Sequence, residues 1–163
     1  MNQTLLIALG ALALYLVMRK PSGTGSTLGS TLGSTFKQDI DEAFSYWEAK
    51  YELPGIYGSY ILKAIAQVES NFNPDAVGAK GERGMMQLMP GAIKDTGLSY
   101  TGTVDRQIQI AAAYLALIDE RNPDPLFGVL GKIAAYNAGR NAVQGYGYAA
   151  KVQEAQRKYR TEK

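Results

Sequence analysis

Apolar side chains recur every three or four positions along much of the chain, which is the period of an amphipathic helix. The clearest stretch runs from Val104 to Arg121, preceded by Thr103 at the position of an N-cap. The pattern predicts helices over residues 36–53, 57–70, 90–96, 104–121, 126–136 and 148–159. We therefore predict an all-α domain with at most a minimal extended segment near Met86 to Leu88. Trp47 lies on an apolar stripe, so we place it in the core.

Residues 1–20 differ from the rest because an uncharged apolar run, Leu5 to Met18, ends at Arg19-Lys20. As a helix this run would be about 21 Å long, short of a hydrocarbon core of roughly 30 Å, although snorkelling basic side chains can close part of the gap. We predict an uncleaved transmembrane anchor that contacts the membrane through residues 4–18. The alternatives are a cleaved signal peptide and a buried or interfacial helix; no Ala-x-Ala site follows the run.

Residues 21–35 are rich in Gly, Ser and Thr, and the sequence Ser-Thr-Leu-Gly is repeated there. This composition cannot bury enough apolar surface to fold. We predict a flexible linker with a root-mean-square span of about 20 Å, although a plain spacer would have the same composition. Residues 36–163 would then be one folded domain tethered to the membrane.

The missing residue types restrict the chemistry. The chain has 163 residues, a net charge of +2, no cysteine and no histidine. The nearly neutral charge argues against a dedicated nucleic-acid binder, and the lack of cysteine excludes disulfides. Without histidine there is no Ser-His-Asp or Cys-His catalysis and no histidine-ligated zinc. Acid–base chemistry near neutral pH must therefore come from carboxylates, tyrosines or lysines, and we expect no cofactor and no metal.

One carboxylate occupies an unusual position. Ile61, Leu62, Ile65 and Glu69 share one face of a predicted helix, so the glutamate continues the stripe that should face the core. Burial would disfavour its charged form and raise its pKa, which suits a general acid that keeps its proton near neutral pH. The alternative is that Glu69, near the helix end, turns outward into water.

Three sequence blocks, in a fixed order, include this glutamate: Glu69-Ser70, Gly84-Met85-Met86-Gln87 and Ala135-Tyr136-Asn137-Ala138-Gly139. Together they resemble the signature blocks of the soluble lytic transglycosylase (SLT) family of peptidoglycan-cleaving enzymes. The resemblance covers about residues 55–155 and implies a lysozyme-like fold acting on peptidoglycan glycan strands. The family usually has Gly-Leu-Met-Gln in the second block, and the change to methionine is nearly isosteric.

The resemblance implies that Glu69 is the catalytic residue. It would protonate the oxygen between MurNAc and GlcNAc and then take the proton from the MurNAc C6 hydroxyl as that oxygen closes onto C1. The product would be a 1,6-anhydro sugar, formed without water. By the same resemblance Tyr136 would hold Glu69 through its hydroxyl group. We expect Ser70 to orient the carboxylate; the alternative is an ordinary serine at the C-terminal end of the helix.

Further supporting roles follow from the same motifs. Substrate binding or catalytic support would fall to Ser70, Met86, Gln87, Tyr136, Asn137 and Tyr148. Gln87 would donate and accept hydrogen bonds at the cleft floor, and Asn137 would bind N-acetyl or peptide groups. Met85, Met86 and Met89 would pack that floor rather than touch sugar.

The remaining assignments concern glycines and a tyrosine. Gly84 and Gly139 would permit close backbone approach. Tyr148 matches a tyrosine near the family's C-terminal end, but the preceding residues depart from the family pattern and leave Tyr146 as an alternative.

Two other functions remain open. A lysozyme resembling the goose type would need a second carboxylate to activate water, and the acids available are Asp75, Glu82, Asp95 and Asp105. A non-catalytic wall-binding scaffold could keep the fold, although it would have no need to retain Glu69, Gln87, Tyr136 and Asn137 together.

The location of the domain is also open. The positive-inside rule would place Arg19-Lys20 on the cytoplasmic side, whereas a peptidoglycan-cleaving domain must face the periplasm. Translocation can override two charges, giving an inner-membrane protein with a periplasmic domain. Alternatively, the chain belongs to the internal membrane of a bacteriophage virion.

Overall fold

The computed structural model describes residues 30–122, 127–139 and 142–162, and its regular elements are helical. They are α1 (Ser30–Lys50), α2 (Leu53–Tyr57), α3 (Ile61–Ser70), α4 (Pro90–Thr96), α5 (Val104–Arg121), α6 (Gly128–Ala138), a 3₁₀ turn (Ala142–Gly145) and α7 (Tyr146–Thr161). Extended pairing in these ranges is limited to isolated bridges from Arg83 to Val77 and to Leu88. The predicted all-α class is confirmed.

The first helix begins earlier than the sequence pattern predicts. It starts at Ser30, so residues 30–35, which we predicted to be linker, belong to α1. Adding a residue to an existing helix costs far less than nucleating one, which explains how residues of low helix propensity extend it. The predicted anchor of residues 1–20 and the rest of the linker lie outside the described residues. Among the helices that are described, none has the length and apolar character needed to cross a membrane.

A single apolar core joins α1, α3, α5, α6 and α7. Trp47 is 7% exposed and its indole N–H donates to the Asp105 carboxylate at 2.8 Å, so its predicted core position is confirmed. The apolar face predicted for residues 104–121 is likewise buried. This packing places α3 inside the domain, where its apolar stripe is fully enclosed.

Two buried polar side chains fix the start of α3. The Glu48 carboxylate of α1 accepts the backbone N–H groups of Tyr60 and Leu62, each at 2.9 Å. The side-chain amide nitrogen of Gln156 on α7 donates to the carbonyls of residues 57–59 at 2.8 to 3.1 Å. Both side chains are at most 5% exposed. The first turn of α3 is therefore tied directly to α1, and the connection that leads into it from α2 is tied to α7.

The loop between α3 and α4 is held by Gln107 of α5. The Gln107 side-chain oxygen accepts the Met85 N–H at 2.6 Å, and its amide nitrogen donates to the carbonyls of Pro74 and Gly102 at 3.1 and 2.8 Å. Gly84 adopts φ +73°, and a Cβ there would overlap the Gln107 side chain. Its predicted role in close approach is explained by this contact.

Gln107→Leu should lower the free energy of unfolding by about 2–4 kcal/mol, because buried backbone groups of the loop lose their partners. Chemical denaturation measures the change. The matched control is Gln109→Leu on the same helix, which leaves those backbone groups paired. Equal losses in the two variants would contradict the assigned role of Gln107.

Candidate active site

The last turn of α3 places Glu69 at the edge of the core. Ile61, Leu62 and Ile65 on the same helix are completely buried, and Glu69 continues their face but is only partly covered. The helix ends immediately afterwards, because Asn71 and Phe72 both adopt positive φ, 51° and 66°. The chain thus turns away directly beyond the carboxyl group and leaves it at the surface of an open cleft.

The cleft has a volume of about 380 Å³ and is formed by the end of α3, the following loop, α4, α5 and the end of α6. Its lining includes Glu69, Gln87, Met89, Asp95, Tyr114 and Asn137. Residues from all three sequence blocks therefore meet in one cavity, although Glu69 and Asn137 are 68 positions apart in the sequence.

Burial raises the pKa of Glu69 to about 7. Desolvation of the carboxylate is the largest cause, the nearby Tyr148 hydroxyl lowers the pKa in part, and the negative charge of Glu82 raises it further. The expectation of a perturbed, buried carboxyl is therefore met, and the alternative of an outward-turned Glu69 is not. A carboxyl with this pKa holds its proton at neutral pH about half the time and can both donate and accept it.

Tyr148, on the first turn of α7, interacts directly with the Glu69 carboxyl. Its hydroxyl is buried and makes no hydrogen bond of standard geometry with the described residues, so the interaction with Glu69 is a looser one. Tyr146, the alternative match, is 43% exposed. The structure therefore brings Tyr148, and not Tyr146, to the candidate catalytic group.

Tyr136 occupies a different position from the one implied for it. Its buried hydroxyl donates to the Met86 carbonyl at 3.0 Å, and burial raises its pKa well above the ordinary value. Met86 itself is completely buried, so it contributes this backbone acceptor and not a side-chain surface. Tyr136 therefore fixes the Gly-Met-Met-Gln turn and does not hold the Glu69 carboxyl.

Ser70 joins the helix end to the same turn. Its hydroxyl donates to the Met85 carbonyl at 2.8 Å and accepts the Asn73 N–H at 3.0 Å. These bonds hold the loop against the last turn of α3. Any effect of Ser70 on the Glu69 carboxylate runs through this backbone placement.

Gln87 closes the turn and faces the cleft. It adopts φ +43°, and its side-chain nitrogen donates to the carbonyls of Gly84 and Ala76 at 2.8 and 3.3 Å. With both amide hydrogens directed at the backbone, only the side-chain oxygen is left for a ligand. Gln87 can therefore accept a hydrogen bond from substrate, whereas we had expected it to donate as well.

The opposite wall of the cleft comes from the end of α6. Asn137 is exposed there, which leaves its amide available to a ligand. Gly139 has φ +59° and open space around it, so it is required for its backbone conformation and not, as we expected, for close approach. Met89 also differs from expectation: it is 40% exposed and lines the cleft, whereas Met85 and Met86 are buried as predicted.

Three of the acids considered as a second catalytic carboxylate, Asp95, Glu82 and Asp105, have different surroundings. Asp95 lines the cleft and forms an ion pair with Arg121 at 2.6 Å. Glu82 accepts the Lys80 N–H at 2.8 Å, and its backbone hydrogen bonds lower its pKa. Asp105 is bound to the Trp47 indole. Within the described ranges, no group of three or more acids is arranged to hold a metal ion.

Sequence reasoning missed two residues of the site. Gln107 accepts the Met85 N–H and so fixes the Gly-Met-Met-Gln turn. In the sequence it could not be distinguished from an ordinary surface glutamine on a helix of mixed composition. Tyr114 lines the cleft with its ring centre 5.7 Å from that of Tyr136. The sequence signal for Tyr114 was its spacing on α5, since it lies three positions after Ala111 and four before Ile118, which are both buried.

Comparison with known proteins identifies relatives of this domain. The family described as Transglycosylase SLT domain matches residues 42–159. The membrane-bound lytic murein transglycosylase F of Maricaulis maris is 38% identical over 82 residues, which is 48% of this chain and 18% of that protein. The protein of the same name from Photobacterium profundum is 29% identical over 108 residues, 64% of this chain and 21% of that protein.

A solved structure, that of an inactive mutant of the lytic transglycosylase Slt from Pseudomonas aeruginosa, is 28% identical with a TM-score of 0.49. The match covers 68% of this chain and 17% of that one. The chain thus spans about a fifth of the length of the relatives it matches.

Tyr148→Phe should raise the pKa of Glu69 above about 7, because the contact that it removes, between the Tyr148 hydroxyl and the carboxylate, stabilises the charged form. NMR titration of the side-chain carboxyl carbons measures the shift. Tyr146→Phe is the control and should leave the titration unchanged. A lower pKa in Tyr148→Phe would contradict the assigned contact.

Glu69→Gln should stabilise the fold at pH 8 but hardly at pH 4. The pKa of Glu69 is higher in the folded state than the ordinary 4.5, so the unfolded chain loses its proton first. Wild-type stability therefore falls as the pH rises from about 4.5 to 7, by about 2–3 kcal/mol in total. Denaturation at both pH values, with the exposed Glu162→Gln as control, measures the difference; an equal effect at pH 4 and 8 would refute a perturbed Glu69.

Proposed function

Since the chain belongs to the transglycosylase SLT family, we propose that it is a peptidoglycan lytic transglycosylase that cleaves the β-1,4 bond between MurNAc and GlcNAc and leaves a 1,6-anhydroMurNAc end. The observation that carries the proposal is a carboxyl of pKa about 7, that of Glu69, in a cleft it shares with Gln87 and Asn137. The names of the relatives, lytic murein transglycosylases, agree with it.

The first step is protonation of the leaving oxygen. Glu69 gives its proton to the glycosidic oxygen, the bond from that oxygen to C1 of MurNAc breaks, and the electron pair stays on the oxygen. A carboxyl with an ordinary pKa would be almost fully ionised at neutral pH and could not donate. Partial burial of Glu69 supplies the protonated fraction.

The second step returns the proton. The C6 hydroxyl oxygen of the same MurNAc bonds to C1, and the Glu69 carboxylate accepts the proton released from that hydroxyl. The Tyr148 hydroxyl favours the charged form of Glu69 at this stage, because its contact with the carboxylate lowers the pKa. One residue thus ends in the state in which it began, and no water enters the product.

The side chains around Glu69 have assignable parts in this reaction. The free oxygen of Gln87 can accept a sugar hydroxyl or acetamido N–H, and the exposed amide of Asn137 can pair with an N-acetyl group on the other wall. Ser70 and Tyr136 act through the backbone of Met85 and Met86, which they hold in place. Preorganised groups of this kind lower the cost of orienting the substrate.

Hydrolysis is the second candidate reaction, and Asp95 is the observation that favours it. This carboxylate lines the cleft, where it could activate water. Its ion pair with Arg121 engages one of its two carboxylate oxygens. The two reactions differ in product, since hydrolysis leaves a reducing MurNAc end.

We place the enzyme at a membrane, through residues 4–18, with its domain facing the periplasm or, in a bacteriophage, within the virion. The names of two relatives describe them as membrane-bound. The uncharged run that ends at Arg19-Lys20 supports the same location. Fractionation of the host envelope and of purified virions separates these settings.

Digestion of purified sacculi by the wild-type protein should yield 1,6-anhydromuropeptides, which mass spectrometry distinguishes by the loss of one water. Glu69→Gln should reduce product formation by at least about 10³-fold, because the amide cannot transfer the proton. Asp95→Asn is the matched control on the same cleft and should keep the anhydro product. Reducing MurNAc ends in the wild-type digest, or full activity of Glu69→Gln, would overturn the proposal.

A further inference from the structure

A second and larger cavity lies on a different part of the domain. This groove has a volume of about 560 Å³ and is formed by α2, the start of α6 and α7. Its walls are Ile56, Tyr57, Gly58, Val129, Ala150, Gln153, Gln156, Arg157 and Arg160. None of these residues lines the cleft that contains Glu69. We refer to it as the α7 groove.

The α7 groove and the catalytic cleft lie at opposite ends of one helix. Val129, at the start of α6, lines the groove, whereas Asn137 and Gly139, at its end, line the cleft. Val129 and Asn137 are separated by about 12 Å along the helix axis. A ligand in the groove therefore leaves the cleft open.

Two guanidinium groups give the groove its charge. Arg157 and Arg160 are three positions apart on α7, so they project from the same face. Both are exposed, and among the described residues neither has a salt-bridge partner, although Arg160 is attracted by the more distant carboxylate of Glu48. Lys158, between them, is already paired with Glu154. Two cations without close anions are thus directed at one cavity.

The backbone at Gly58 lies directly against the guanidinium group of Arg160. Gly58 adopts φ +78°, and a Cβ at this position would overlap the Arg160 guanidinium. The carbonyl of Gly58 is held by Gln156 at 3.1 Å. Glycine at the end of α2 therefore lets the guanidinium lie against the groove floor, where a larger residue would displace it.

The rest of the lining matches a peptide. Ile56, Val129 and Ala150 form small apolar surfaces that fit methyl-sized side chains. Gln153 carries an amide that can pair with a peptide bond. Planar guanidinium groups bind carboxylates and phosphates alike in a fork geometry. What favours a peptide is the amide and the small apolar surfaces beside them, which a phosphate ion or a lipid headgroup does not require.

We propose that the α7 groove binds a short acidic peptide, the stem peptide of peptidoglycan, through carboxylates that pair with Arg157 and Arg160. This deepens the proposed function and rests on it for the identity of the ligand. A stem peptide bound here holds the domain on the wall while a glycan strand occupies the cleft. The groove is then an attachment site, and it takes no part in the proton transfers of Glu69.

The test uses the full chain with Glu69→Gln, so that no substrate is consumed, and the synthetic tetrapeptide L-Ala-γ-D-Glu-meso-diaminopimelate-D-Ala. NMR titration should give saturable shifts at Val129, Ala150 and Gln153. The double variant Arg157→Gln/Arg160→Gln should weaken binding by about tenfold or more, because charge-assisted hydrogen bonds are lost. Arg157→Gln alone, which does not disturb the contact of Arg160 with Gly58, should weaken binding by a smaller factor.

Lys151→Gln/Lys158→Gln is the matched control, since it removes the same charge from the same helix outside the groove. It should bind the tetrapeptide as the unmodified chain does. The tetrapeptide with amidated carboxylates should bind weakly. The proposal would be overturned if the tetrapeptide did not bind saturably or shifted only residues of the catalytic cleft. It would also be overturned if the two double variants lost equal affinity, or if inorganic phosphate or phosphatidylglycerol vesicles bound more tightly than the tetrapeptide.

Failure of this proposal can be distinguished from failure of the proposed enzymatic activity. With Glu69 intact, Arg157→Gln/Arg160→Gln should release anhydro products from peptide-free glycan strands at the wild-type rate but from intact sacculi more slowly. Equal slowing on both substrates would mean that the arginines act on the fold or on catalysis, and not as a peptide site. Absence of anhydro products from the wild-type protein would refute the activity itself, whatever the tetrapeptide titration gives.

Discussion

The chemistry of the cleft depends on the partial burial of one carboxyl group at the end of an apolar helix. The face of α3 that carries Ile61, Leu62 and Ile65 is enclosed, and Glu69 continues that face to the point where the helix stops. Complete burial would keep the group neutral at all useful pH values, and full exposure would leave it ionised. The intermediate position, adjusted by Tyr148 and Glu82, puts the pKa near 7 and permits proton transfer in both directions.

That position is maintained by hydrogen bonds that run from three different helices to one turn. Ser70 of α3 and Tyr136 of α6 bind the carbonyls of Met85 and Met86, and Gln107 of α5 binds the Met85 N–H. Gln87 can adopt a strained backbone at φ +43° because this turn is fixed on either side. The start of α3 is held independently by Glu48 and Gln156. The site thus combines two residues at helix ends, Glu69 and Asn137, with Gln87 on a turn that these hydrogen bonds hold in place.

The sequence predicted the elements that depend on periodicity and the residues that carry a motif. Helix boundaries from Pro90 onward agree closely with the pattern, and Glu69 could be recognised because a carboxylate on an apolar stripe is unusual. The roles of Gln107, Glu48 and Gln156 could not be predicted. Each is a polar residue that binds backbone groups far away in the sequence, between 12 and 99 positions. The exception is the bond from Gln107 to Gly102, which is five positions away. Contacts between distant positions leave no local sequence pattern that could predict them. The extension of α1 to Ser30 was missed because Gly, Ser and Thr favour linkers when judged alone.

The central claim is that Glu69 keeps its proton near neutral pH because of where α3 ends. The most direct test is the absolute pKa of the Glu69 carboxyl in the wild-type chain, read from the titration of its carboxyl carbon and assigned by its disappearance in Glu69→Gln. The account predicts a midpoint of about 7. A midpoint at the ordinary value for glutamate, about 4.5, would contradict it.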